Sequence, residues 1–377
     1  MTNNPEISIV LPCRNEEKAL PNCLKKIKKV IIENNLNAEI IVSDSSTDNS
    51  PKIAKNHNVR LIKHDKIGYG IAYQEGFKEA YGKYIFMADA DCTYDFNEIP
   101  NFIKYLKEGH DFVIGNRFAY KFEKNIMPWS HKYIGNPILS SILRLFFGTK
   151  IKDSHCGMRA ISKKALESLD LKTKGMEFAS EMVIKAHKKH LKIKELPIKY
   201  YPREGESKLS SFKDGWRHLK YMLLYSPLFL FFIPGLILFI IGIESMLWFY
   251  LGNPKILGIQ LFFHPMFISS LFIIIGYQLI IFTAFSKIYA LTHLGEENKL
   301  LDKLFKYFTI ERVSLIGILI LLIGIIIYTY ILIKWISSGF GSLNEIKNSI
   351  LALTLITIGV QSIFSSFMLS IIGTKEK

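Results

Sequence analysis

Cysteine is scarce, with four in 377 residues, and Cys13, Cys23, Cys92 and Cys156 show neither CxxC spacing nor a metal-ligand rhythm. That argues against a disulfide framework and for small buried thiols in a reduced, cytoplasmic compartment. Acidic residues are in deficit, 33 Asp and Glu against 48 Lys and Arg, which leaves a formal net charge of +15. Such an excess points to an anionic partner: nucleic acid, a phospholipid surface or a phosphorylated substrate. No zinc finger or aromatic RNA-binding signature is present, so no nucleic-acid partner is expected. Two common phosphate-binding patterns are also missing. Gly68-Tyr69-Gly70 lacks the last glycine of a dinucleotide fingerprint, and Gly76 to Lys83 has the wrong spacing for a P-loop, with no following Ser or Thr. The polar start, entering a strand at Ile7, is expected to carry no signal peptide.

The two halves of the chain differ. Residues 1–220 alternate charged and apolar stretches. Ile7–Leu11, Glu39–Ser43, Val59–Ile62, Tyr84–Ala88 and Phe112–Gly115 read as short buried strands. Helical patterns lie between them, such as Glu17–Ile32 and Ile71–Ala80, and this alternation predicts an α/β domain built on a mostly parallel sheet. Four later segments, about 227–250, 262–286, 313–336 and 349–373, exceed the roughly 20 apolar residues that cross a bilayer. Domains are therefore expected at 1–210 and 227–377, with a juxtamembrane helix at 211–226. In that helix Phe212, Trp216, Leu219 and Leu223 share one face, beside a stripe of Lys213, Arg217 and Lys220. It either lies at the lipid headgroups or docks on its own domain. Pro128 to Phe147 is a second apolar, weakly charged segment with the same two readings. Lys287, Lys299, Lys303, Lys306 and Arg312 crowd the connection between the second and third spans, while the other two connections carry few cations. The positive-inside rule then puts that connection, the N-terminal domain and the C-terminus in the cytoplasm of a multi-pass cell-membrane protein.

Ligands of open parallel sheets bind beyond the carboxyl ends of the strands. Pro12 to Glu16, Asp44 and Asp89-Ala90-Asp91 all follow predicted strand ends and should converge on one cleft. Two carboxylates one residue apart at a strand tip suit a hard divalent cation shared with a diphosphate. A solvated turn is the alternative for an isolated pair of this kind. Asp44 can accept hydrogen bonds from ribose hydroxyls or base N–H groups, or cap the Ser/Thr-rich turn after it. Glu177 and Glu181 belong either to the cleft or to a helix terminus.

The strings Ile9-Val10-Leu11-Pro12-Cys13-Arg14-Asn15-Glu16, Val42-Ser43-Asp44-Ser45-Ser46-Thr47-Asp48, Asp89-Ala90-Asp91, Gly115-Asn116-Arg117 and Asp153-Ser154-His155-Cys156-Gly157-Met158-Arg159, in this order, resemble the family 2 glycosyltransferases of GT-A fold. They are most similar to dolichol-phosphate mannose synthases and polyprenyl-phosphate hexosyltransferases. The resemblance covers about residues 5–220 at motif level and the membrane half as a general architecture. It implies inverting transfer of a hexose, mannose or glucose, from a nucleotide sugar such as GDP-mannose or UDP-glucose to dolichyl or polyprenyl phosphate. It assigns Pro12, Arg14, Glu16, Val42 and Asp44 to the base and ribose, and Asp89 and Asp91, with Ala90 between them, to Mg²⁺ or Mn²⁺ and the diphosphate. Arg117, Arg203 and Lys208 would grip phosphates, and His131 and Lys132 with Arg117 would meet the acceptor phosphate. Thr93 stands where mannose synthases carry a glutamine that can join the metal site.

Two other functions are weighed. A processive polysaccharide synthase usually carries Q-x-x-R-W; here Gly215-Trp216-Arg217 has no preceding Gln and the reverse order. A non-catalytic, nucleotide-sensing membrane transporter would need polar groups within its spans, which contain almost no charge beyond Glu244.

Overall fold

Runs of β-branched and aromatic residues build the first half of the chain into β1 (Ile7–Cys13), β2 (Ala38–Asp44), β3 (Arg60–Lys63), β4 (Tyr84–Met87) and β5 (Phe112–Asn116). The computed structural model describes residues 4–121, 126–205, 211–293 and 310–373. The chain divides into two units, Met1–Tyr225 and Ser226–Lys377. In the first, two further strands, β6 (Arg159–Ser162) and β7 (Ile193–Pro197), complete a seven-stranded sheet of order β3-β2-β1-β4-β6-β5-β7. Its pairs are parallel except for β6, which runs antiparallel to both β4 and β5. This is the expected mostly parallel α/β architecture, with β6 and β7 added to the strands read from the sequence.

Register fixes what meets at the carboxyl edge. Cys13 pairs with Asp44 and Val10 with Met87, so the ends of β1, β2 and β4 lie side by side. Arg159, the first residue of the antiparallel β6, faces Met87, which brings the loop before it to the same edge. Pro197 pairs with Asn116, so the chain leaving β7 arrives there too.

Helix α1 (Leu20–Glu33) has Pro21 in its first turn, where no backbone donor is needed, and buries Leu20, Cys23, Leu24, Ile27 and Val30 at helical spacing. Helices α2 (Ser50–Asn56), α4 (Ile99–Lys107) and α6 (Lys163–Leu169) lie between strands along the chain. α3 (Tyr69–Lys78) and α7 (Phe178–Lys188) meet through stacked Tyr73 and Phe178, whose centroids are 5.6 Å apart. α5 (Asn136–Phe147) packs on α7 and on α8 (Ser211–Leu224).

Among the described residues the second unit holds four long apolar helices, Leu228–Leu251, His264–Tyr289, Glu311–Ser337 and Ile346–Gly373. Small residues let them approach closely. A Cβ on Gly276 would come within 2.5 Å of Phe239 N, and one on Gly359 within 2.7 Å of Leu321 N. Polar side chains pair between the second and fourth helices, Ser270 with Thr354 at 2.6 Å and Gln278 with Gln361 at 2.9 Å. Close small-residue contact and interhelical hydrogen bonds are how helices associate where lipid removes the hydrophobic driving force.

Candidate functional site

Asp89, Ala90 and Asp91 follow the end of β4. Asp91 is buried, and its Oδ1 accepts hydrogen bonds from the Thr93 hydroxyl at 2.6 Å and the Thr93 N–H at 3.1 Å. Its Oδ2 lies 3.1 Å from Arg203 Nη1. Asp89 lies near the Tyr69 hydroxyl, which favours its charged form. Burial and then the charge of Asp91 push the Asp89 carboxyl up to about 7, against the smaller pull of Tyr69, Arg203 and Arg117. Gly157 makes this packing possible, because a Cβ there would fall 2.5 Å from Asp89 Oδ2 and 2.9 Å from the Tyr94 hydroxyl. The two aspartates repel each other and offer hard oxygen donors, a set that fits Mg²⁺ or Mn²⁺. Among the described residues no group of three or more His, Cys, Asp and Glu side chains forms a metal cage. Two carboxylates with the remaining positions left to phosphate oxygens and water is the arrangement Mg²⁺ favours.

Arg117 begins the turn after β5 and is buried. Asp153, fully buried, accepts from its N–H at 3.0 Å, its Nε at 2.8 Å and its Nη2 at 2.9 Å. The guanidinium carbon also stands 5.3 Å from the Tyr200 ring centroid. Arg117 is therefore a fixed charge clamped by a carboxylate rather than a mobile surface cation. It is close enough to His131 to join burial in lowering that imidazole's affinity for a proton, against Asp214. His131 and Lys132 lie on a single wide helical turn, His131–Gly135, ahead of α5. Lys132 Nζ is 4.9 Å from the Tyr133 ring centroid.

The nucleoside candidates divide. An open pocket of about 620 Å³ at the ends of β1, β2 and β3 is lined by Arg14, Asn15, Ser45, Thr47, Lys63 and His64, among others. Pro12 is partly exposed at the end of β1. Val42 and Asp44 keep their side chains inside the fold. Val42 is wholly buried in the sheet core, and Asp44 is wholly buried with its oxygens accepting from the Ser46 hydroxyl at 2.6 Å and the Ser46 N–H at 3.3 Å. The turn-capping alternative describes the Asp44 contacts. The Glu16 carboxylate takes a hydrogen bond from Arg203 Nη2 at 2.6 Å. Lys208 lies outside the described residues.

Several residues near these groups carried no assigned role in the sequence. Asp153 and Gly157 belong to a string that was recognisable only as a string. Behind them runs a buried chain: Ser154 Oγ to His155 Nδ1 at 3.1 Å, His155 Nε2 to Ser180 Oγ at 3.2 Å, and Ser180 Oγ to His218 Nδ1 at 2.8 Å. Arg159 is also wholly buried, donating to the carbonyls of Cys156, Ala179 and Ser154. Glu181 is structural, its carboxylate accepting from the N–H groups of Lys172 and Thr173. Glu177 accepts from the Gly175 N–H at 3.0 Å.

α8 buries His218, Tyr221 and Met222 against its own domain while leaving Phe212 89% and Trp216 55% exposed. It docks and presents apolar surface at once. Trp129, Tyr133, Ile138 and Leu145 are likewise exposed around α5.

The family model for glycosyl transferase family 2 matches residues 8–170, and that for the family 2 C-terminal transmembrane region matches residues 284–373. A low-salt glycan biosynthesis hexosyltransferase of Haloferax volcanii is 37% identical over 370 residues, covering 98% of this chain and 89% of the relative. A UDP-N-acetylglucosamine–dolichyl-phosphate N-acetylglucosaminyltransferase of Methanococcus voltae is 34% identical across 56% of this chain and 94% of its own. A dolichol-phosphate mannosyltransferase of Pyrococcus furiosus is 28% identical across 58% of this chain and 62% of its own. The last two align with little more than half of the chain, whereas the first extends through the apolar helices. With that extent of identity, the family match over six of its seven strands and, among the described residues, four helices of membrane-spanning length, this multi-pass membrane protein belongs to glycosyltransferase family 2.

Proposed function

We propose that this transferase moves a hexosyl group, mannose or glucose, from a nucleoside-diphosphate sugar to dolichyl or polyprenyl phosphate, with inversion. The observation that carries the reading is the convergence of Asp89, Asp91, Arg117 and Arg203 on one sheet edge, in a unit that also exposes Trp129, Tyr133, Phe212 and Trp216. The pocket at the ends of β1 to β3 is the seat for the nucleoside, with Arg14 and the Ser45 to Thr47 loop at its wall. When bound at Asp89 and Asp91, Mg²⁺ or Mn²⁺ supplies charge stabilisation to the departing diphosphate.

The acceptor phosphate is a monoester whose second pKa is about 6, so it arrives largely as a dianion at neutral pH. One of its oxygens forms the new bond to the anomeric carbon as the bond from that carbon to the diphosphate oxygen breaks. No general base is required, and the protein's task is to position the two anions in line and offset their repulsion. Arg117, immobilised by Asp153, holds a positive charge beside the reacting phosphates without moving to do so. Arg203 offers a second, less buried guanidinium on the segment that follows the neighbouring strand β7. The cation bias of residues 287–312 supports a cytoplasmic site and C-terminus at the cell membrane.

Membranes bearing the protein, incubated with radiolabelled nucleotide sugars and polyprenyl phosphate, should yield an extractable glycolipid with one donor class. Asp91→Asn should abolish it. Labelling of a soluble polysaccharide primer in place of lipid would replace this reading with the polysaccharide-synthase one.

A further inference from the structure

Arg203 holds two of the site's carboxylates at once. Its Nη1 is 3.1 Å from Asp91 Oδ2 and its Nη2 is 2.6 Å from Glu16 Oε1. Its Nε is buried and has no hydrogen-bond partner among the described residues. The strap that carries it is stitched to the aspartate loop by backbone. Tyr201 N–H donates to Thr93 O at 2.9 Å and Glu204 N–H to Asp91 O at 3.0 Å, while Asn22 Nδ2 donates to the Glu204 carboxylate at 2.7 Å. The arginine head is thus delivered to Asp91 by a fixed backbone rather than by a long free loop.

Asp91 has little capacity to spare. A carboxylate offers about four lone-pair directions. The Thr93 hydroxyl and N–H occupy Oδ1, and Arg203 sits on Oδ2. A divalent cation shared with Asp89 needs an Asp91 oxygen, and Oδ2 is the one not already turned toward Thr93. Arg203 and the cation therefore compete for the same atom.

We infer that Arg203 is an exchangeable internal counter-ion: it neutralises Asp91 and Glu16 until a nucleoside diphosphate arrives with its cation, and then moves its guanidinium to the diphosphate oxygens. The inference rests on the reading of Asp89 and Asp91 as the cation site and deepens it. The unpartnered Nε explains why the exchange is favourable, because a diphosphate can satisfy several guanidinium donors in a planar fork where two separate carboxylates leave one unmet. The device makes cation and nucleotide bind together and disfavours the cation alone.

Mn²⁺ binding to the full-length protein in detergent, read from the paramagnetic resonance signal of free Mn²⁺, tests this without any turnover. Wild type, Arg203→Gln and Asp91→Asn are compared with Mn²⁺ alone and with Mn²⁺ plus UDP or GDP. Arg203→Gln should bind Mn²⁺ alone about fivefold more tightly than wild type, the scale of one partly exposed ion pair. The same variant should bind the nucleoside diphosphate more weakly in the presence of Mn²⁺. If Arg203→Gln does not fold, Arg203→Lys keeps the charge but cannot span both carboxylates, and should shift in the same directions by less. Unchanged or weaker Mn²⁺ binding in these variants, with binding still lost in Asp91→Asn, overturns the exchange while leaving the cation site standing. Mn²⁺ binding that is insensitive to Asp91→Asn overturns both.

Discussion

Removing Asp153 from around Arg117 is the most informative single perturbation of this fold. Both side chains are buried, and three donors of Arg117 converge on the Asp153 carboxylate at 2.8 to 3.0 Å. Asp153→Ala leaves a buried guanidinium that stays charged, because arginine does not give up its proton inside a protein. Breaking a buried pair from one side costs about 3–5 kcal/mol, most of it the penalty on the partner left behind. Arg117→Met leaves the buried carboxylate without its counter-ion, held by the backbone N–H of residue 117 alone, and should also be destabilising. The double variant strands neither charge, so its cost should fall short of the sum of the two by about 2 kcal/mol or more. Amide hydrogen exchange in β5 and β6 of the full-length protein measures the opening free energy of this unit without interference from the membrane helices. Transfer activity supplies a second arm, because all three variants should lose it whatever their stability. If the two single costs simply add, the pair does not interact as drawn. If Asp153→Ala keeps transfer near wild type, the clamp has no part in positioning Arg117.

Acid should loosen the same unit through His218, whose imidazole is lowered from 6.5 to about 4 by burial and then by Arg159. A depressed folded-state value means the fold prefers the neutral ring, so its contribution is complete above pH 6.5 and declines as pH falls toward 4. The loss amounts to about 3 kcal/mol at 1.36 kcal/mol per unit; thermal melts across this window check it, and His218→Gln should flatten the profile. Gly157→Ala should displace Asp89, since the new Cβ would fall 2.5 Å from its Oδ2. A displacement of that kind can lower the transfer rate about 10²-fold, with Mn²⁺ affinity falling alongside, and wild-type values for both would show that Asp89 can move aside freely. Cysteine labelling from outside intact cells should reach a probe at position 253 or 342 and miss one at 299; the reverse pattern would invert the proposed topology.

The strands and spans were legible because each is a local property. Tyr84 to Ala88 is an uninterrupted apolar run and Ile7 to Leu11 is broken only by Ser8, and a buried parallel strand needs little more. β6 was hidden by its own chemistry. Arg159 looks like a surface residue in a four-residue stretch, yet it lies wholly buried because three backbone carbonyls absorb its donors. No periodicity records those carbonyls. α8 shows the same limit from the other side. The apolar stripe containing Phe212 and Trp216 suits either the lipid headgroups or its own domain; the fold leaves both exposed and buries the neighbouring His218, Tyr221 and Met222, where Ser180 supplies a partner for the imidazole.

The candidate site divides along the same line. Asp89 and Asp91 announce themselves by standing at a strand tip. What each charge is paired with depends on contacts distant in sequence. Asp153 lies 36 residues from Arg117, and Glu16 lies 187 residues from Arg203. Asp44 sits in a string as suggestive as that of Asp89, but its oxygens are taken by Ser46 two residues away. The difference is one of capacity, not of residue type. Asp44 is tied to its own turn, whereas a carboxylate held by a competing cation can exchange that cation for another. Residue identity thus locates the charges of this site, and the pairing imposed by the sheet decides which of them can take part in chemistry.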